Sequence, residues 1–270
     1  MIIMVLRCLK DKTMTKKIFD EKVKILQNVK VNQKYYKLAF ASPLLAQKAV
    51  PGQFLQIKIG EGNDPYLRRP FSYYRTSGNK VEILYEILGR GTRMLSEKKA
   101  GETLKVMGPL GKGFTLTPKG KKRVLVAGGV GVPPLVFLAE RHAAAYLLIG
   151  TKSKAEVMPK SELKNAKAKI LYSTEDGSYG VKGRVTALLE KILKKEDPGK
   201  IFIQTCGPKK MMEAVIAIAR KYGIDGEASW DENMACGVGA CLGCMVETRS
   251  GRMRACADGP VFPFKELVIP

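Results

Sequence analysis

Four clustered cysteines constrain this chain more than any other feature of its sequence. They follow the spacing Cys236-x4-Cys241-x2-Cys244-x11-Cys256 within 270 residues. No signal peptide is recognisable ahead of them, and a secreted disulfide framework would spread its cysteines through a small domain. Crowded thiols in a reducing compartment usually hold a metal. We therefore expect a metal site and a cytoplasmic protein.

The spacing of the four cysteines distinguishes between metals. C-x4-C-x2-C with a distant fourth cysteine is the plant-type pattern for a [2Fe–2S] cluster. Such a cluster needs a tight loop, and Gly237, Gly239 and Gly243 allow the backbone to wrap closely and direct N–H groups at sulfur. Structural zinc prefers two C-x2-C pairs, and this chain has one. The favoured occupant is a [2Fe–2S] cluster, with zinc, disulfides or free thiols as alternatives.

Composition excludes several classes of protein. Hydrophobic residues make up 45% of the chain, which is enough to bury cores in two domains and too much for a disordered chain. The single histidine, His142, excludes sites that need two, such as HExxH zinc sites and Rieske clusters. The longest apolar stretch, Val124–Ala139, is broken by glycines and prolines and is shorter than the roughly 20 residues of a membrane span.

The formal net charge of +22 makes a nucleic-acid-binding protein an alternative from another class. The lysines and arginines are scattered, however, and no nucleic-acid-binding motif is present. We expect no nucleic acid, and a basic surface can instead attract an acidic protein partner.

The pattern of residues 17–118 predicts a small antiparallel β-barrel, preceded by an irregular extension over residues 1–16. The stretches Phe54–Ile59 and Val81–Leu88 are rich in strand formers, and turn residues punctuate the region.

Residues 119–228 alternate between predicted strands and helices, which indicates a parallel α/β sheet. The predicted strands are Val124–Ala127, Tyr146–Ile149, Ala168–Tyr172 and Ile201–Gln204. Helices are predicted from the first strand to about Ala145 and over 184–195 and 208–222. Residues 229–270 form a predicted cluster subdomain with little regular periodicity.

Two turns at the ends of predicted strands suit a nucleotide. Gly128, Gly129 and Gly131 join a strand to a helix that begins with prolines, an arrangement that presents backbone N–H groups to phosphate. The second turn, Cys206, Gly207 and Pro208, follows another strand and lies on the same carboxyl edge, where ligands collect. Residues 173–178 offer hydroxyls and carboxylates there. Plain tight turns are the alternative.

A basic strand in the barrel region suits a flavin nucleotide. Its residues are Arg69, Pro70, Phe71 and Ser72. Arg69 can neutralise a pyrophosphate, and the aromatic side chain can line a flat ring. Gly91 and Thr92 add amides and a hydroxyl at a predicted helix start. Taken alone, the motif is weak, and a solvated basic strand is the alternative.

Together these motifs resemble the ferredoxin–NADP reductase superfamily, with a flavin barrel followed by a nicotinamide domain. Several segments together resemble one family within this superfamily. They are RRPFS, LYEILGRGTRMLS, MGPLGKGF, AGGVGVPPL, TEDGSYGVKG, CGP, MACGVGACLGCMV and CADGPVF. From about Lys17 onward the chain is similar to the electron-transfer subunits of type B dihydroorotate dehydrogenases. The implied fold class is a multidomain β plus α/β protein with a C-terminal [2Fe–2S] subdomain.

The resemblance also implies cofactors and the residues that bind them. FAD would be held by Arg69, Pro70, Phe71, Ser72, Leu84, Tyr85, Glu86, Gly91 and Thr92. NAD(H) would be held by Gly128, Gly129, Gly131, Cys206, Gly207 and Pro208. The cluster would be held by Cys236, Cys241, Cys244 and Cys256. Glu86 departs from the basic residue expected after the tyrosine, so backbone rather than side-chain contact is expected there. No side chain is expected to act as a catalytic acid or base.

The activity implied by the resemblance is that of an oxidoreductase subunit. NADH would reduce FAD, and electrons would pass through the cluster to or from FMN in a dihydroorotate-oxidising catalytic subunit of pyrimidine biosynthesis. A heterotetramer with two copies of each subunit is expected. The alternative is the small subunit of an NADPH–ferredoxin or sulfide oxidoreductase.

Overall fold

The structure is a computed structural model that describes residues 17–60 and 62–269. The predicted extension over residues 1–16 lies outside the described residues. None of the described helices is long and apolar enough to cross a membrane.

The first part of the described chain forms a closed six-stranded barrel. Its elements are β1 (Phe19–Lys30), β2 (Tyr35–Ala41), α1 (Pro43–Lys48), β3 (Phe54–Lys58), β4 (Arg69–Ser77), β5 (Lys80–Glu86), α2 (Arg90–Glu97) and β6 (Thr103–Leu110). The strands are antiparallel in the order β1-β2-β5-β4-β3-β6. Alternating residues such as Val23, Ile25, Leu38 and Phe40 fill the interior, as expected for strands with one buried face. β5 ends two residues before the predicted Leu88, since the chain there turns into α2.

A second sheet follows the barrel. Its elements are β7 (Lys122–Gly128), α3 (Val132–Arg141), β8 (Tyr146–Thr151), α4 (Lys160–Leu163), β9 (Lys169–Thr174), β10 (Val181–Lys182), α5 (Val185–Leu193), β11 (Ile201–Cys206), α6 (Lys209–Lys221) and β12 (Gly226–Ser229). Strands β10-β9-β8-β7-β11-β12 are parallel in that order. Helix α3 ends before the predicted Ala145, because His142 adopts an extended conformation.

Three short strands complete the described chain: β13 (Met245–Thr248), β14 (Gly251–Arg254) and β15 (Val261–Pro263). β13 and β14 form a hairpin, while β15 pairs antiparallel with β12 and adds a seventh strand to the sheet. The sequence shows little periodicity here because three or four residues are too few to display alternation. The domain bounds at 17–118, 119–228 and 229–270 stay predictions.

Helix α3 and the segment around α4 join the sheet to the barrel. Phe137 of α3 belongs to the barrel core, where its ring centroid lies 6.4 Å from that of Tyr73. Arg75 of β4 donates to the Glu140 carboxylate at 2.5–3.0 Å and to the Glu162 carbonyl oxygen at 2.9 Å. These contacts fix the helices that flank the sheet against the barrel wall.

Candidate functional site

A cleft of about 410 Å³ opens where the barrel meets the sheet. Its walls contain all nine residues predicted to bind a flavin. These are Arg69, Pro70, Phe71 and Ser72 of β4, Leu84, Tyr85 and Glu86 of β5, and Gly91 and Thr92 of α2. The structure therefore brings three separate sequence motifs into one cavity. The cleft has five further lining residues: Leu88, Gly89, Arg90, Val130 and Asp231.

The amino end of α2 forms the basic end of this cleft. Thr92 Oγ1 accepts the N–H groups of Leu88 at 2.9 Å and Gly89 at 3.2 Å, which caps the helix. A Cβ on Gly91 would lie 3.0 Å from Arg69 Nε, so glycine allows the guanidinium to approach the helix. A helix N-terminus beside an arginine suits a pyrophosphate. The residues present fit the phosphate end of FAD.

Aromatic and charged side chains form the rest of the cleft. The Phe71 and Tyr85 rings pack edge to face at 5.8 Å, and the Tyr85 hydroxyl donates to Asn28 Oδ1 at 2.9 Å. The Glu86 carboxylate, unexpected beside an anionic cofactor, lies 3.8 Å from Lys34 Nζ. This ion pair reduces the repulsion that a flavin phosphate would meet.

Asp231 is one of the five lining residues that the sequence analysis did not predict. It follows the buried Trp230, whose N–H donates to the Pro260 carbonyl oxygen at 2.7 Å. Burial, with a smaller effect from the Glu232 charge, raises the pKa of Asp231 to about 6. The residue's own surface remains accessible through the cleft. Only tertiary structure brings this carboxyl to the barrel, and no local motif indicates it.

A second cleft, of about 300 Å³, lies at the carboxyl edge of the sheet. Of the residues predicted for a nucleotide, Gly128, Gly129 and Pro208 line it. The charged residues in its lining are Lys34, Lys152, Glu156, Glu175, Arg184 and Lys210. Lys34 pairs with Glu156 at 3.0 Å. The other three cations of the cleft form no ion pair with a carboxylate among the described residues; they are Lys152, Arg184 and Lys210.

Gly131, Cys206 and Gly207 do not line either cleft in the part of the chain that the structure describes. A Cβ on Gly131 would lie 2.0 Å from the Cys206 carbonyl oxygen, so the two strand-end turns pack backbone against backbone. Cys206 is buried, and burial raises the pKa of its thiol, with a smaller contribution from Asp231. These residues hold the turns together, and their predicted direct contact with NAD(H) stays a prediction.

The two clefts meet at a single turn. Gly129 lines the second cleft and Val130 lines the first. The Tyr35 hydroxyl donates to the Gly129 carbonyl oxygen at 2.7 Å, which ties the turn to the barrel. Ligands in the two clefts would therefore approach each other beside Val130, as a hydride donor and its acceptor must.

The four clustered cysteines lie around a loop held by backbone donors. The N–H groups of Val238 and Cys241 point at Cys236 Sγ at 3.5 and 3.4 Å. Gly239 N–H points at Cys256 Sγ at 3.1 Å, and Cys256 N–H at Cys244 Sγ at 3.4 Å. Such donors stabilise the thiolates of a bound metal cluster.

The thiol pKa values of Cys236 and Cys256 are shifted in opposite directions. Although burial opposes it, backbone N–H donation lowers the pKa of Cys236 to about 6. Burial, together with the neighbouring Cys244, raises the pKa of Cys256 to about 12, so metal binding there must release a proton. Four thiols around one loop, with backbone N–H groups directed at their sulfurs, fit a two-iron cluster, whose ligands are divided between two metal atoms.

The cluster loop, defined here as residues 236–244, packs on the barrel. Gly237 has φ of +72°, and a Cβ there would lie 2.8 Å from Gln56 Cγ of β3. Nearby, Lys112 N–H donates to the Gly259 carbonyl oxygen at 2.5 Å. Within the same loop, Cys241 and Leu242 are exposed. The loop thus connects the barrel wall to the molecular surface.

This arrangement defines a flavoprotein oxidoreductase of the ferredoxin–NADP reductase type with an attached iron–sulfur domain. Comparison with solved structures agrees. An NADH-dependent reduced ferredoxin-NADP oxidoreductase, studied for flavin-based electron bifurcation, aligns with a TM-score of 0.81 and 29% identity over 91% of this chain and 89% of its own. The ferredoxin NADP+ reductase of Neisseria gonorrhoeae, with bound FAD and NADP, shares the fold at a TM-score of 0.65 and 18% identity, over 76% of this chain and 92% of its own.

The sequence comparisons are more specific. The model of the iron–sulfur cluster binding domain of dihydroorotate dehydrogenase B matches residues 231–268. The dihydroorotate dehydrogenase B (NAD(+)) electron transfer subunit of Desulforamulus reducens is 38% identical over 93% of this chain and 98% of its own length. That of Caldanaerobacter subterraneus subsp. tengcongensis is 36% identical over 92% and 98%. The chain belongs to this family of electron transfer subunits. The predicted family, fold class and oxidoreductase role are confirmed.

Proposed function

We propose that this chain carries electrons between NADH and a separate catalytic subunit that interconverts dihydroorotate and orotate in pyrimidine biosynthesis. The observation that carries the proposal is that three sites adjoin one another. The nucleotide cleft meets the flavin cleft beside Val130, and the cluster loop packs on the wall of the barrel that forms the flavin cleft. FAD, when bound, supplies the step from two-electron hydride chemistry to single electrons.

The protein's own residues have positioning roles in this scheme. Arg69 and the α2 N-terminus hold the flavin phosphates, and Lys152, Arg184 and Lys210 surround the nucleotide phosphates. Val130 sets the place where the two ligands meet. In this scheme no side chain acts as an acid or base for hydride transfer.

The partner is proposed to be a catalytic subunit that carries FMN, in a heterotetramer with two copies of each chain. The relatives are named as subunits, which implies a catalytic partner. The exposed residues of the cluster loop support docking there, because Val238 and Leu242 present 43% and 59% of their surfaces to solvent beside Cys241.

We place the complex in the cytoplasm, where clustered thiols stay reduced.

The test is NADH-dependent reduction of orotate, with and without an FMN-containing dihydroorotate dehydrogenase subunit. The isolated chain, loaded with both cofactors, should reduce artificial acceptors with NADH but should not convert orotate. Adding the partner should couple the reactions, and rising salt should weaken assembly if the net charge of +22 assists docking. Orotate turnover by this chain alone would contradict the proposal.

The second candidate is a subunit of an NADPH–ferredoxin oxidoreductase. It is favoured by the 29% identity and TM-score of 0.81 to the ferredoxin-NADP oxidoreductase structure. The same assay separates the two functions. Failure of every dihydroorotate dehydrogenase partner to couple, with direct electron delivery to or from ferredoxin, would establish this alternative.

A further inference from the structure

The side chain of Gln56 on β3 is buried without a hydrogen-bond partner. Its relative exposure is 0%, and neither Nε2 nor Oε1 has a partner among the described residues. Buried amides in folded proteins nearly always hydrogen-bond, since leaving one unpaired forfeits its interaction with water. A group that the protein binds is therefore expected beside this amide.

Gln56 lies between the flavin cleft and the cluster loop. Across the sheet it is the register partner of Pro70, which lines the flavin cleft. On its other side, a Cβ on Gly237 would lie 3.0 Å from Gln56 Nε2. Gly237 directly follows the predicted ligand Cys236. The unpaired amide is thus packed against the loop that would hold the cluster.

We propose that Gln56 Nε2 donates a hydrogen bond to an inorganic sulfide of the [2Fe–2S] cluster when the cluster is bound, since Cys236 Sγ itself does not accept from this amide in the structure. The inference rests on the proposed cluster and names a positioning residue for it. The backbone N–H groups of Val238 and Cys241 already point at Cys236 Sγ, and Gln56 would add a donor from the barrel.

Such a donor has a defined electronic effect. Reduction adds negative charge to the cluster, and an N–H group stabilises the reduced form more than the oxidised form. Hydrogen bonds to sulfur therefore raise the reduction potential of a cluster. Gln56 would make the cluster potential depend on the barrel that binds the flavin.

Gln56→Leu tests this, because leucine occupies a similar volume without a donor. The holoprotein should keep its iron, while the cluster midpoint potential moves to a more negative value and the EPR g values of the reduced cluster change. Gln56→Met is a second variant without a donor, and its unbranched side chain follows the shape of glutamine. It should move the potential in the same direction, and it decides the question if Gln56→Leu does not accumulate.

Gln53→Leu is the matched control. Gln53 is also buried, at 3% exposure, but its hydrogen bonds are made within the protein. Nε2 donates to the Gly111 carbonyl oxygen at 3.0 Å, and Oε1 accepts the Val50 N–H at 2.9 Å. This variant should lose stability without a change in the cluster potential.

Two results would overturn the inference. Wild-type potential and EPR spectrum in both Gln56 variants would show that the amide serves only packing or a buried water. Absence of a [2Fe–2S] signal from the wild-type protein would overturn the cluster assignment itself, which separates that failure from the failure of the Gln56 bond.

Discussion

Arg69 shows how a single residue can define the phosphate end of a cofactor site. Its guanidinium lies against Gly91 at the N-terminus of α2, where only a missing side chain permits the approach. Arg69→Ala should weaken FAD retention by about 1.5–3 kcal/mol, the usual contribution of a charge-assisted hydrogen bond. Dialysis followed by the flavin absorbance measures the loss. Retention equal to the wild type would place the phosphates elsewhere.

Asp231 provides a pH-dependent prediction. Its pKa of about 6 in the folded protein exceeds the ordinary value of 3.8, so between these values the native state binds more protons than the unfolded chain. Stability therefore falls as pH rises from about 4 to about 6. Asp231→Asn should melt at a higher temperature than the wild type at pH 7.5 and at the same temperature near pH 4.

Asp225→Asn is the control for Asp231→Asn. Asp225 is an exposed carboxylate that does not belong to the lining of the flavin cleft. Thermal unfolding at several pH values compares the two variants. A melting difference for Asp231→Asn that is constant across pH would contradict the raised pKa.

At the scale of elements, β4, α3 and α4 are joined by a network of charges around Arg75. The guanidinium reaches Glu140 of α3 at 2.5 Å and Glu82 of β5 at 3.3 Å, while Lys37 of β2 reaches Glu162 of α4 at 2.5 Å. These side chains are mostly buried. Removing the arginine would leave carboxylates facing each other at the joint between barrel and sheet.

Arg75→Met should therefore lower the free energy of unfolding by about 3 kcal/mol, the lower end of the cost of breaking a buried ion pair. Urea unfolding measures it. The control is Arg252→Met, whose partner Glu247 lies 3.0 Å away with both side chains more than 60% exposed. Its expected effect is below about 1 kcal/mol. Equal losses in the two variants would show that the network around Arg75 has no special role.

At the scale of the whole molecule, the sequence predicts what is local and misses what tertiary structure adds. The barrel, the parallel sheet and the cysteine spacing each have a local pattern. No local pattern indicates the burial of Gln56. A barrel strand ordinarily exposes one face to solvent, but the cluster loop covers that face of β3, so both faces of the strand are buried. Val130 and Asp231 enter the flavin cleft only because the sheet packs against the barrel.

The contact between Gly131 and Cys206 has an evolutionary consequence. With 2.0 Å between the Cys206 carbonyl oxygen and the position of a Cβ on residue 131, any side chain there would separate the turn after β7 from the turn after β11. Descendants of this chain can exchange their nucleotide or their partner, but they cannot replace this glycine without rebuilding both turns. Glycine at 131 would therefore persist through changes of substrate, because the packing of the two turns requires it whichever ligand is bound.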